Sequence, residues 1–141
     1  MIGTITKIVV APLVTTLLIG GVVTLFSACK HDAEVVDPCV KEVPVTVSFS
    51  NDLLPLFRTT CAMSGCHSGG SPAAHLNLVD SLAYSQLLKP GTGNVDTVQP
   101  GNSILYGSLT TSPKIMPPAG KLDVCTIEMV KKWIEQGAKN N

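Results

Sequence analysis

An apolar stretch runs from Ile8 through Phe26, broken by Pro12 and Gly20-Gly21. One early charge, Lys7, precedes it and the small pair Ser27-Ala28 follows, the pattern of an export leader over residues 1–28. From Lys30 to about Thr46 the chain is polar and β-branched, with Pro38 and Pro44 and no helical period, which predicts an extended tether over residues 29–46. Folded structure is expected over residues 47–141. Ser50-Asn51-Asp52 stands before Leu53, Leu54, Leu56 and Phe57, a polar cap and helical apolar spacing that predict a helix over about 51–59, with Pro55 in its first turn. A second helix is predicted from Asp80 as cap through Leu82, Ala83, Tyr84, Leu87 and Leu88, stopping before Pro90-Gly91. A third covers about 103–109, after Pro100-Gly101-Asn102. The clearest starts at Asp123 as cap and runs through Ile127, Val130, Trp133 and Ile134 to Gly137 as its stop. No sustained strand alternation and no internal repeat occurs, so the expected class is all-α: a few short helices joined by long Gly/Pro-rich loops. Such loops in a small domain call for a functional reason.

Composition sharpens this picture in two places. The 141 residues are 45% apolar, but much of that lies before residue 29, so the folded part is less greasy than the whole. Ten basic and ten acidic side chains cancel, and loss of residues 1–28 removes only Lys7, so there is no basic surface for nucleic acid. Beyond residue 28 the aromatics are Phe49, Phe57, Tyr84, Tyr106 and Trp133, thin for a core of this size, which suggests that something besides side chains fills it. Cys29 follows the leader directly. The order Leu25-Phe26-Ser27-Ala28-Cys29 resembles the bacterial lipobox, with Phe26 where Leu is commoner, and implies a lipoprotein signal with diacylglycerol on Cys29. The competing reading of the same stretch is an uncleaved membrane anchor. Either way the chain is exported, to the periplasm or cell surface, and tethered to a bacterial membrane, stably so with more than one acyl chain.

Chemistry is concentrated in Cys61-Ala62-Met63-Ser64-Gly65-Cys66-His67. In an exported protein, two cysteines followed at once by histidine read as a covalent haem site: each thiol adds to a haem vinyl group and the imidazole reaches the iron. The usual spacing has two residues between the cysteines; here there are four. The context is wider than this element. It includes Leu53, Pro55, Leu56 and Phe57 leading into Cys61, the stretch Val98-Gln99-Pro100-Gly101-Asn102-Ser103-Ile104-Leu105-Tyr106, Met116-Pro117-Pro118, and the closing Trp133-Ile134-Glu135-Gln136-Gly137-Ala138. From about Phe49 to Asn140 the chain resembles the class I c-type cytochrome family, specifically its small lipoprotein-anchored mono-haem domains. That resemblance implies a class I cytochrome c fold wrapped around one haem c, with Cys61 and Cys66 as thioether links, His67 as proximal iron ligand and Met116 as distal ligand. It also implies that the first and last helices cross at Phe57 and Trp133 beside the haem.

Met116 has chemical support of its own. A thioether is a soft, neutral ligand for low-spin haem iron, and pairing it with histidine raises the reduction potential. Pro117 and Pro118 stiffen the segment that carries it. Met129, on the last helix, reads as core, Met63 lies inside the attachment turn, and His75 is the rival distal ligand. Arg58, Lys114 and Lys121 are cations available to the haem propionates, each also readable as an ordinary surface charge. Cys39 and Cys125 remain, and two leftover cysteines in an oxidising compartment most simply pair.

The expected function is electron transfer to and from an unidentified redox partner, with both axial positions filled and no reaction catalysed. Three other readings use the same residues. In one, Met116 leaves the iron and the domain acts as a haem-based sensor or a peroxidase-like enzyme. In another, Cys61, Cys66, His67 and His75 hold structural zinc. In the third, Cys61 is bridged to Cys66 in a disulfide-stabilised lipoprotein.

Overall fold

A computed structural model describes residues 38–111 and 113–141. The leader over 1–28, the lipidation site Cys29 and the tether up to residue 37 lie outside the described residues. The rest is all-α, with no strand among the described residues, and no helix there is long and apolar enough to cross a membrane.

Helix α1 covers residues 49–61 as three consecutive pieces: a π turn at Phe49–Leu53, an α turn at Leu54–Leu56 and a second π turn at Phe57–Cys61. It starts before the predicted position because Ser48, not a residue of 50–52, is the cap. The Ser48 Oγ accepts from the Asn51 N–H (3.2 Å), while the Ser48 N–H donates to Asp52 Oδ2 (2.7 Å). Pro55 thus falls inside the helix. Proline lacks an N–H and crowds the carbonyl four residues back, and the wide π spacing before it, with the Leu54 N–H on the Phe49 carbonyl, gives its ring room. The second wide turn, closed by the Ala62 N–H on the Phe57 carbonyl (2.8 Å), extends the helix two residues beyond expectation and places Cys61 on its last turn.

Helix α2 is shorter than predicted, Ala83–Leu87. Asp80 does not cap it, because its carboxylate is engaged by Arg58 on α1, whose Nε donates at 3.0 Å and whose second guanidinium nitrogen also bonds it. Helix α3, Ile104–Thr110, matches its expectation within a residue and follows a 3₁₀ turn at Pro100–Asn102. Before it, Ser103 is fully buried, and its Oγ accepts from the Asp96 N–H at 2.9 Å. Helix α4, Val124–Glu135, is capped by Asp123 as read from sequence, with Oδ1 accepting from the Thr126 N–H at 2.8 Å. The Thr126 hydroxyl, which donates to Oδ2, and the Thr126 N–H hold the Asp123 carboxyl below its usual value. Gly137 (φ 88°) ends α4, with the Ala138 N–H on the Trp133 carbonyl at 2.9 Å. That left-handed conformation is one a side chain rarely adopts, which is why glycine marks the stop.

The core forms where α4 meets α1. Ile127, Val130, Trp133 and Ile134 bury one face of α4, while Phe49, Leu53 and Phe57 bury one face of α1. Phe49 is the junction: its ring centroid lies 5.3 Å from Trp133, 6.1 Å from Phe57 and 5.2 Å from Tyr84. The polar ends of the large aromatics are satisfied, since Trp133 Nε1 donates to the Lys139 carbonyl (2.9 Å) and the Tyr84 hydroxyl to the Ala138 carbonyl (3.0 Å).

Residues 38–46, the described part of the predicted tether, are fastened to α4. Cys39 is bridged to Cys125 with Cα atoms 5.1 Å apart. The Gln136 side chain donates to the Val45 carbonyl (2.7 Å) and accepts from the Val47 N–H (3.0 Å). Asn141 closes the other end over α1: its carbonyl oxygen accepts from the Ser50 N–H (2.9 Å) and the Ser50 hydroxyl (2.7 Å), and its Oδ1 from the Phe49 N–H (2.9 Å).

Candidate cofactor site

The Cys61–His67 element is a closed turn, and its geometry accounts for the four-residue spacing. The Cys66 N–H donates to the Met63 carbonyl (3.0 Å) across a tight turn in which Gly65 takes φ 79°, the sign glycine supplies most readily. The His67 N–H then reaches back to the Cys61 carbonyl (3.1 Å). Residues 62–65 are absorbed in this turn, so both cysteines and the histidine sit at its base while Met63 and Ser64 stand outside, Met63 being 52% exposed.

Cys61 and Cys66 are unbridged and half-buried. The Cys61 thiol is pushed up to about 11, first by burial and second by the Cys66 sulfur nearby, so it is a neutral thiol at physiological pH. His67 is half-buried, and its Nδ1 lies 3.2 Å from the Leu76 carbonyl oxygen. A carbonyl only accepts, so Nδ1 is the donor, and in the neutral ring that places the lone pair on Nε2. The backbone clamps the same histidine from the other side, with the Leu78 N–H donating to the His67 carbonyl at 2.8 Å.

Met116 is half-buried against the core. Its N–H donates to the Ser108 carbonyl on α3 (2.9 Å), which fixes where the Pro-rich loop crosses that helix. Met129 packs against the core from α4, as expected. His75 is exposed in the 3₁₀ turn Ala73–His75. Among the described residues, the group of metal-ligand atoms gathered within 4.8 Å is Glu42, Asp123 and Cys125, whose sulfur belongs to the disulfide. Cys61, Cys66, His67 and His75 are not gathered in that way. Arg58 is paired with Asp80, which raises its pKa further, and Lys121 is exposed.

Sequence reasoning did not find the Leu76 carbonyl, since a backbone acceptor has no residue signature, nor the Arg58–Asp80 pair, although opposite charges on either side of the Cys-His element were visible. A surface concavity of about 300 Å³ lies elsewhere, lined by Thr46, Val47, Trp133, Gln136, Lys139 and Asn141. None of the predicted site residues lines it.

The residue types that a covalently held haem would need are present: two unbridged thiols separated by one turn, an imidazole whose Nδ1 is engaged by a carbonyl, and a thioether on a loop tied to α3. Comparison with protein-family models, with curated proteins and with solved structures gives no match for this chain.

Proposed function

We propose that the protein is a membrane-tethered mono-haem c-type cytochrome of class I fold that carries electrons between redox proteins. The observation that carries this reading is the state of His67: its Nδ1–H donates to a backbone carbonyl, which in the neutral ring leaves the lone pair on Nε2, in a turn that also holds two unbridged thiols. Cys61 and Cys66 would hold one haem c through thioether links, with His67 and Met116 as its axial ligands. Bound there, the haem supplies a one-electron ferric/ferrous couple.

The chain's own part is to fix those ligands. The His67–Leu76 bond sets the imidazole tautomer, and the Leu78–His67 bond sets the backbone beneath it. The Met116–Ser108 bond, with Pro117 and Pro118 after it, limits how far the thioether can swing. Cys61, Ala62, Leu76 and Met116 each pack on the core yet remain half-open, and such half-open apolar side chains are what a flat apolar group would cover. With His67 and Met116 both holding the haem, the protein would carry electrons and catalyse no reaction of its own. Lipid on Cys29 would anchor it to a bacterial membrane on the exported side.

The reading is tested by challenging the reduced, haem-loaded protein with carbon monoxide. A Met-ligated carrier keeps its spectrum, whereas immediate binding of carbon monoxide would place the domain with ligand-binding haem proteins.

A further inference from the structure

We propose that Asn77 is a positioning residue for His67, an inference that rests on the axial role given to His67 above. Its side chain fixes the Leu76–Asn77 peptide and so keeps the Leu76 carbonyl on the imidazole Nδ1–H.

Between His67 and Leu78 the chain makes an excursion over residues 68–77, most of it exposed. Three of its residues take left-handed backbone conformations, Gly69 at φ 79°, Ala74 at φ 51° and His75 at φ 55°, and the Ala73 N–H ties it to the Cys66 carbonyl at 2.8 Å. Two bonds close its base, from the Leu78 N–H to the His67 carbonyl (2.8 Å) and from His67 Nδ1 to the Leu76 carbonyl (3.2 Å). Leu78 is buried and holds one flank. Rotation of the Leu76–Asn77 peptide would turn the carbonyl away from the ring without disturbing Leu78.

Asn77 opposes that rotation from both sides. Its Nδ2 donates to the Gly69 carbonyl across the excursion (3.0 Å), and its Oδ1 accepts from the Val79 N–H (3.1 Å), a turn in which the side chain stands in for backbone. The partners fix the amide orientation, since one is a carbonyl and the other an N–H. A side chain here must donate and accept at once. Aspartate keeps the bond from Val79 and loses the bond to Gly69; alanine loses both.

A proton shared with a well-placed carbonyl raises electron density at Nε2 and favours the ferric state of an iron bound there. Release of the carbonyl should therefore raise the reduction potential and open the ring N–H to water. Wild type, Asn77→Ala and Asn77→Asp are made as full-length chains in a host with c-type haem maturation. Three quantities are read: solvent exchange of the His67 ring N–H by NMR in the reduced protein, the reduction potential, and the Trp133 Nε1–H signal as a check that the core is native. Asn77→Ala should speed ring N–H exchange about tenfold, the equivalent of about 1.4 kcal/mol, and raise the potential, with Asn77→Asp intermediate in both.

Wild-type exchange and potential in Asn77→Ala, with a native Trp133 signal, would overturn the proposal. If Asn77→Ala does not fold, Asn77→Asp decides by the same criterion. Wild-type protein without haem would refute the electron-transfer reading, and ring N–H exchange in the same chains would then decide the role of Asn77 alone.

Discussion

At His67 a single acceptor makes the two ring nitrogens unequal, because Nδ1–H donates to the Leu76 carbonyl and the lone pair of the neutral ring then sits on Nε2. His67→Ala should abolish the native haem spectrum in maturing cells, and a surviving spectrum would point to another histidine. Met116→Ala should keep covalently attached haem but lower the reduction potential, since loss of the thioether opens the sixth position to harder ligands; an unchanged potential would remove Met116 from the iron. Cys61 offers a test without haem. Its thiol is held neutral up to about 11 against a reference of 9.0, and only the thiolate is nucleophilic. In haem-free chain, alkylation of Cys61 followed by mass spectrometry should keep rising with pH toward 11, and levelling near 9 would contradict the burial that causes the shift. As candidates, thiol, imidazole and thioether were legible in sequence, because they carry their chemistry with them. What orients them was not: the Leu76 carbonyl and the turn through Gly65 belong to the backbone.

Helix α4 shows how far periodicity reaches. Its cap at Asp123, its buried face and its stop at Gly137 were all readable, because each is a local signal that tertiary packing reinforces. Asp123→Ala removes the acceptor for the Thr126 N–H and should lower stability to urea by about 1 kcal/mol. Helix α1 was read short because its cap is one short polar residue before the polar cluster, and because π spacing around Pro55 has no sequence signature. The difference bears on the site, since the last wide turn is the one that carries Cys61. Helix α2 was read long for the opposite reason. Asp80 is a good cap by type, but Arg58 holds its carboxylate.

Among the described residues, closure is covalent at one point and polar at others. The Cys39–Cys125 bridge spans a sequence separation of 86 and fastens the start of the described chain to α4. In the chain-entropy account, Cys39→Ser with Cys125→Ser should lower unfolding stability by up to about 4–5 kcal/mol while haem content stays unchanged; loss of haem as well would mean that the bridge also shapes the site. The all-α class was legible because strand alternation is missing and apolar residues recur at helical spacing. The way Asn141 and Gln136 stitch the two ends of the domain together was not, since such bonds are long-range and use common polar residues. The most direct test of the whole account is the absorption spectrum, oxidised and reduced, of full-length protein made in a host with c-type haem maturation, with haem staining on a denaturing gel. The account predicts haem that survives denaturation and a low-spin spectrum carrying the methionine–iron charge-transfer band. Protein without haem, from cells in which a control cytochrome matures, would contradict it.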